Sequence, residues 1–166
     1  MNPLTSRTGR VVAACVVQLA LVPLAVAGPL SARITGEEYL LEVAPLDPID
    51  PFRGAYVALD YPGLPSSQEL TERRYPTSEV AYVPLVASGD VWVGRTPVAD
   101  RPSSGPFLRC EDEHWRLRCG IDSWFLPQEE AYAMEHAVGQ GRVVARVRID
   151  SRGNAALVGL ELRDDT

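Results

Sequence analysis

The chain has 166 residues, 46% hydrophobic and 23% charged, which is enough apolar side chain for one buried core and too ordinary a mixture for wholesale disorder. Its 16 basic residues are all Arg; with Arg7 and Arg10 set aside, 14 of them face 22 acidic residues over positions 31–166, a net charge of −8 that repels phosphate backbones and excludes nucleic acid as a partner. The lack of any Lys in the sequence rules out a Schiff-base lysine, a Ser-Lys dyad and a P-loop lysine.

Val11 to Leu30 reads VVAACVVQLALVPLAVAGPL, twenty residues without a charge, long enough as a helix for a hydrocarbon core of roughly 30 Å despite Gln18 and Pro23. Arg7 and Arg10 precede it and Arg33, then Glu37 and Glu38, follow, so the bias of positive charge toward the cytoplasm puts the N-terminus inside and the rest outside. The expected division is therefore a cytoplasmic tail over 1–10, a transmembrane signal anchor or signal peptide over 11–30, and an exported domain over 31–166. The expected location is the bacterial cell membrane, crossed once. Ala25-Val26-Ala27 ahead of Gly28 has the small-x-small pattern of a leader-peptidase site, so cleavage after Ala27 stays open beside the preferred reading of a retained anchor. Val12-Ala13-Ala14-Cys15 superficially resembles a lipobox, but the apolar run continues past Cys15, which reads as a membrane-buried thiol.

Glu37 to Val43 has a mixed strand pattern and runs into a stretch where Pro45, Pro48 and Pro51 forbid a helix or central strand. From Ala55 to Tyr61 the residues alternate, with Val57, Leu59 and Tyr61 on one face and Tyr56, Ala58 and Asp60 on the other, as in a half-buried strand that Pro62-Gly63 ends. Beyond a polar connector, Val80 to Ala87 and Val91 to Val98 form an expected antiparallel hairpin around Ser88-Gly89-Asp90. Phe107 to Cys110 and Trp115 to Ile121 form a second, with Glu111-Asp112-Glu113 at its tip. Pro127 opens a predicted helix from Gln128 to about Val138, with Glu129 and Glu130 in its first turn and Gly139 and Gly141 at its end. Arg142 to Ile149 and Ala155 to Leu162 close the chain as a hairpin around Asp150 to Asn154. These elements predict a mostly β (β-rich α+β) fold: an antiparallel sheet or partly open barrel with one short helix, preceded by one N-terminal transmembrane helix.

Arg53-Gly54-Ala55-Tyr56-Val57-Ala58-Leu59-Asp60-Tyr61, preceded by Asp47 to Phe52, resembles the motif of the bacterial GDYXXLXY family. Gly54, Tyr56, Leu59 and Tyr61 match it, while Ala55 stands where the family has Asp, so the carboxylate that would pair with Arg53 or cap a turn is missing here. The stretch Cys119 to Pro127, with Gly120, Ile121, Phe125 and Pro127, is similar to a second family region. The resemblance implies a short membrane-anchored bacterial protein of no established activity, in a family sometimes coupled to multi-spanning membrane domains.

Candidate chemistry is sparse. Cys110 and Cys119 flank the acidic turn of a hairpin, and export would favour a disulfide between them; the alternatives are two reduced thiols, or a metal pair that lacks ligands beyond His114. His114 and His136 are the two histidines, and no nucleophile-elbow pattern joins them to Ser103, Ser104 or Ser123. Glu111, Asp112, Glu113 and Asp122 read as a solvated acidic turn, since their spacing is not that of a calcium loop. Trp92, Trp115 and Trp124 with Tyr56 are expected in the core more than along a binding groove. No catalytic residue, metal or cofactor is assigned. The expected role is a non-catalytic binding or accessory module for an envelope or membrane protein, with a multi-spanning membrane protein as candidate partner. A hydrolase or peptidase-like β enzyme is the alternative, although it would lack the lysine base of signal-peptidase-like folds, and a small-ligand sensor is a third reading.

Overall fold

The computed structural model describes residues 7–45, 56–65, 80–112, 117–125, 134, 136–141 and 143–163. A single long helix, α1 (Arg7–Thr35), comes first, with Pro23 and Pro29 inside it. It bends by 40° between Arg7–Pro23 and Val26–Thr35. The break falls where the Pro29 ring, lacking an N–H, excludes the bond to the carbonyl four residues earlier. Neither segment is by itself a helix long and apolar enough to cross a membrane; taken together they meet that length and composition. Val11, Val16, Leu19 and Val22 are exposed along the first segment.

Ten strands follow among the described residues: β1 (Glu37–Glu42), β2 (Ala44–Pro45), β3 (Tyr56–Asp60), β4 (Val80–Ser88), β5 (Val91–Gly94), β6 (Phe107–Asp112), β7 (Leu117–Arg118), β8 (Ser123–Phe125), β9 (Val143–Ile149) and β10 (Ala155–Leu162). Seven of them form one sheet in the order β10-β9-β1-β5-β4-β6-β7, and β2-β3-β8 form a second. Most pairs are antiparallel, as expected, but β1 and β5 run parallel, with Leu41 opposite Trp92. The large sheet is thus mixed and open, and the partly open barrel is corrected accordingly. β1 is inserted in mid-sheet between β9 and β5, leaving β10 and β7 as the two ends of the sheet, unpaired with each other among the described residues.

The β4–β5 hairpin turns at Gly89, which has φ +63°. Its second strand stops at Gly94 instead of reaching Val98. There the Gly94 amide donates to the Gly63 carbonyl at 2.7 Å, and a Cβ at Gly94 would come within 2.8 Å of Val83 Cγ1. Val98 keeps one isolated bridge, to Tyr82. In the second hairpin β6 runs past the expected Cys110 to Asp112, so that Glu111 and Asp112 pair with Arg118 and Leu117 instead of lying at its tip. β7 ends at Arg118, short of the expected Ile121, where Gly120, at φ +75°, turns the chain out of the ladder; Trp115 lies outside the described residues. So does the start of the predicted helix, with Pro127 and Gln128. Residues 136–139 are helical, and Gly141, at φ +69°, ends the helix with its amide on the Val138 carbonyl.

Leu41, Val83, Leu108, Ile121, Val138 and Val147 are among the most deeply buried side chains of one continuous core. Each such aliphatic group contributes about 1.5–3 kcal/mol by leaving water. β9 is buried along almost its whole length, in agreement with its unbroken Val, Ala and Ile content. Where polar side chains break that content, Arg146 reaches Glu161 on β10 at 2.6 Å and Glu38 on β1 at 3.5 Å, marking the exposed face of the three strands.

Candidate functional site

The two stretches that carry the sequence motif meet in space. β3 and β8 pair antiparallel, with Tyr56 opposite Phe125, Val57 opposite Trp124 and Ala58 opposite Ser123. One residue further on, the Leu59 amide donates to the Asp122 carbonyl at 3.0 Å. The Tyr61 hydroxyl, on a buried side chain, then donates to the Ile121 carbonyl at 2.7 Å. Burial pushes the Tyr61 phenol far above its usual range, with the Asp122 charge adding to the effect, so the hydroxyl stays a donor at any physiological pH.

Leu59 and Ile121 are both buried in the core beside this bond. Gly120 is exposed at positive φ, and Phe125 is 71% exposed at the end of β8. A disulfide joins Cys110 on β6 to Cys119, with an S–S distance of 2.05 Å. It ties the large sheet to the turn that carries Ile121 and Asp122 into the small one. Arg53, Gly54 and Pro127, together with the side chain of Tyr56, lie outside the described residues. The motif residues that are described, Leu59 and Tyr61, serve packing and a structural hydrogen bond.

The remaining candidates are scattered. His136 is exposed, with its Nε2 3.5 Å from Gln140 Nε2, and His114 lies outside the described residues. Ser103 and Ser104 line a cavity of about 510 Å³ with Tyr39, Arg101 and Phe107, which His136 does not enter. Among the described residues no three His, Cys, Asp or Glu side chains are grouped to hold a metal ion. Trp92 and Trp124 pack half-buried against the core, Trp92 with its ring edge-to-face on Tyr39 at 5.1 Å, as expected of core aromatics.

Sequence reasoning missed a second constellation, where the end of α1 meets the β9–β10 turn. Asp150 is the one buried charged residue among those described, its side chain 2% exposed. Its carboxylate accepts from Ser31 Oγ at 2.6 Å, Asn154 Nδ2 at 2.9 Å, and the amides of Arg152 and Asn154 at 2.8 and 3.0 Å. Burial pushes the Asp150 carboxyl up, but these donors outweigh it and hold it below the ordinary aspartate value. Arg152 also donates to Ser31 Oγ at 2.8 Å. Arg148 caps the helix end by donating to the carbonyls of Arg33 and Gly36, while Arg33 donates to the Leu157 carbonyl.

Close approach is permitted by Gly28, Ala32 and Gly36, four residues apart on one side of the chain. Ala32 is fully buried, and a Cβ on Gly36 would lie 2.9 Å from the Ile149 nitrogen. That spacing of small residues was the available signal, hidden because Gly28 also falls within the apolar run that ends at Leu30.

A family model described as GDYXXLXY protein matches residues 18–160. No curated protein and no solved structure matches the chain.

Proposed function

The chain belongs to the GDYXXLXY family, and from that premise we propose that it is a tethered, non-catalytic domain. α1 holds it on the outer side of a bacterial membrane, where it binds another membrane protein alongside. The observation that carries this reading is the two-sided character of the last turns of α1. Gly28 and Ala32 face the domain, whereas Val26, Leu30 and Ile34 share the opposite side and are exposed, Ile34 at 68%. An apolar stripe that continues to the final turn of a helix already docked on its domain suits lipid and a neighbouring transmembrane helix. Arg7 and Arg10 before the apolar run favour an inside N-terminus. Confinement in the same membrane raises the effective concentration of such a partner without a large interface.

Cross-linking in intact cells followed by affinity recovery from mild detergent tests the proposal. A reproducible multi-spanning partner is expected, weakened by Leu30→Ala with Ile34→Ala. Recovery of the chain alone, with and without cross-linker, would overturn it.

A further inference from the structure

The bond that a leader peptidase would cut lies within α1, immediately ahead of the clasp around Asp150. Ala25-Val26-Ala27 precedes Gly28, and the second segment of the helix, past the bend, runs from Val26 to Thr35. Gly28 itself abuts the β9–β10 turn, its Cβ position 3.4 Å from Asn154 Oδ1. One turn later Ser31 is held by Asp150 and Arg152, and Ala32 is sealed against the domain. The Arg33 carbonyl in the last turn, and that of Gly36 just beyond it, accept from Arg148.

A protease needs its substrate strand open, and when opening and reclosing are fast the rate of cutting follows the population of the opened form. Here opening at Ala27 means unwinding a helix whose next two turns are fastened to the folded sheet.

We infer that the clasp of Ser31, Asp150, Arg152 and Asn154 protects the Ala27–Gly28 bond from processing, so that folding of the exported domain turns a cleavable leader into a permanent anchor. This rests on the reading of α1 as a membrane-inserted segment with the domain outside. The reaction withheld is hydrolysis: water adds across the Ala27–Gly28 amide, leaving a carboxylate on Ala27 and a free amino group on Gly28. The position of the clasp fits the role, since Asp150 in the turn that covers Gly28 lies 119 residues after Ser31. It forms only when β9 and β10 have paired, with Asp150 N on the Asn154 carbonyl at 3.0 Å and Gly153 N on the Asp150 carbonyl at 2.9 Å.

The test is intact-mass and N-terminal analysis of the full chain expressed in its own envelope, as wild type, Ser31→Ala and Asp150→Ala. Wild type is expected full-length in the membrane fraction. Losing a hydrogen bond to a buried charge raises the opened population by about tenfold or more, and product beginning at Gly28 should rise in that proportion. Ala27→Leu combined with Asp150→Ala should restore the full-length form by removing the small residue at the cut.

Ser31→Ala leaves the bonds of Asp150 within its own turn in place, so it reports on the clasp even where Asp150→Ala unfolds the domain. Gly28→Cys with Asn154→Cys supplies an independent check. The two Cβ positions are 4.0 Å apart, within disulfide range, and the pair should cross-link on export. Wild type beginning at Gly28, Ser31→Ala remaining uncut, or a failed cross-link overturns the inference. Full-length wild type in the soluble cytosol instead defeats the anchor reading on which it stands.

Discussion

Replacing Tyr61 by Phe deletes a single oxygen at the junction of the two motif stretches and leaves the ring to fill the same space. The hydroxyl donates at 2.7 Å to the Ile121 carbonyl, and both residues are buried, Ile121 at 1% exposure. Water has no ready route to the abandoned acceptor, so the cost is the desolvation of an unpaired carbonyl, about 1–3 kcal/mol. For a domain of this size a destabilisation of 1 kcal/mol lowers the melting temperature by about 4 °C, which predicts a loss of roughly 4–12 °C for Y61F. The assay is a thermal melt of the detergent-solubilised full chain followed by tryptophan fluorescence, for which Trp124 on β8 is well placed. Because burial keeps the phenol protonated, the difference between wild type and Y61F should not change between pH 6 and 9. A variant melting within about 1 °C of wild type would show that this bond does not hold β3 to the Ile121 turn, and the motif tyrosine would need another explanation.

Three further outcomes follow from the same geometry. Removing the disulfide as Cys110→Ala with Cys119→Ala, across a sequence separation of 9, should cost about 3 kcal/mol in denaturant titrations. The loss should combine non-additively with Y61F, since both fix the Gly120 to Asp122 segment. Gly153→Ala should cost about 2–4 kcal/mol, from φ +84° and a Cβ 2.6 Å from Phe107 Cε2. Gly89→Ala, at φ +63° with no atom within 4 Å, should cost only the backbone part, about 1–2 kcal/mol by the same titration. The Asp150 carboxyl titrates lower in the folded chain than its ordinary 3.8. Its stabilising contribution is therefore complete above that unfolded value and is lost as pH falls through the lower, folded one. Melting temperatures measured from pH 6 down to pH 2.5 should fall more steeply for wild type than for Asp150→Asn.

Much of the secondary structure was legible in the residues. The alternation of Leu59 and Tyr61 against Asp60 placed β3 and its buried face, and Gly89 marked the β4–β5 turn. The position of Cys110 and Cys119 across a hairpin anticipated the disulfide that the structure contains. Those signals are local: a period of two, a residue permitted at positive φ, two thiols on neighbouring strands. Strand order carried no such mark. Nothing in Glu37 to Glu42 announces a parallel partner at Val91 to Gly94, and the early end of β5 depends on Gly63, which lies far back in the chain.

The motif could be read as a pattern but not as a structural joint, because its meaning appears only when Tyr61 is set against Ile121, 60 positions away. Asp150 likewise reads in sequence as an ordinary turn residue, and only the fold brings Ser31, 119 positions earlier, to its carboxylate. Sequence fixes what each short segment prefers, since backbone sterics and side-chain burial act over a few residues. Which segments become neighbours is decided by the collective packing of one core, and both the motif junction and the clasp on α1 are products of that packing.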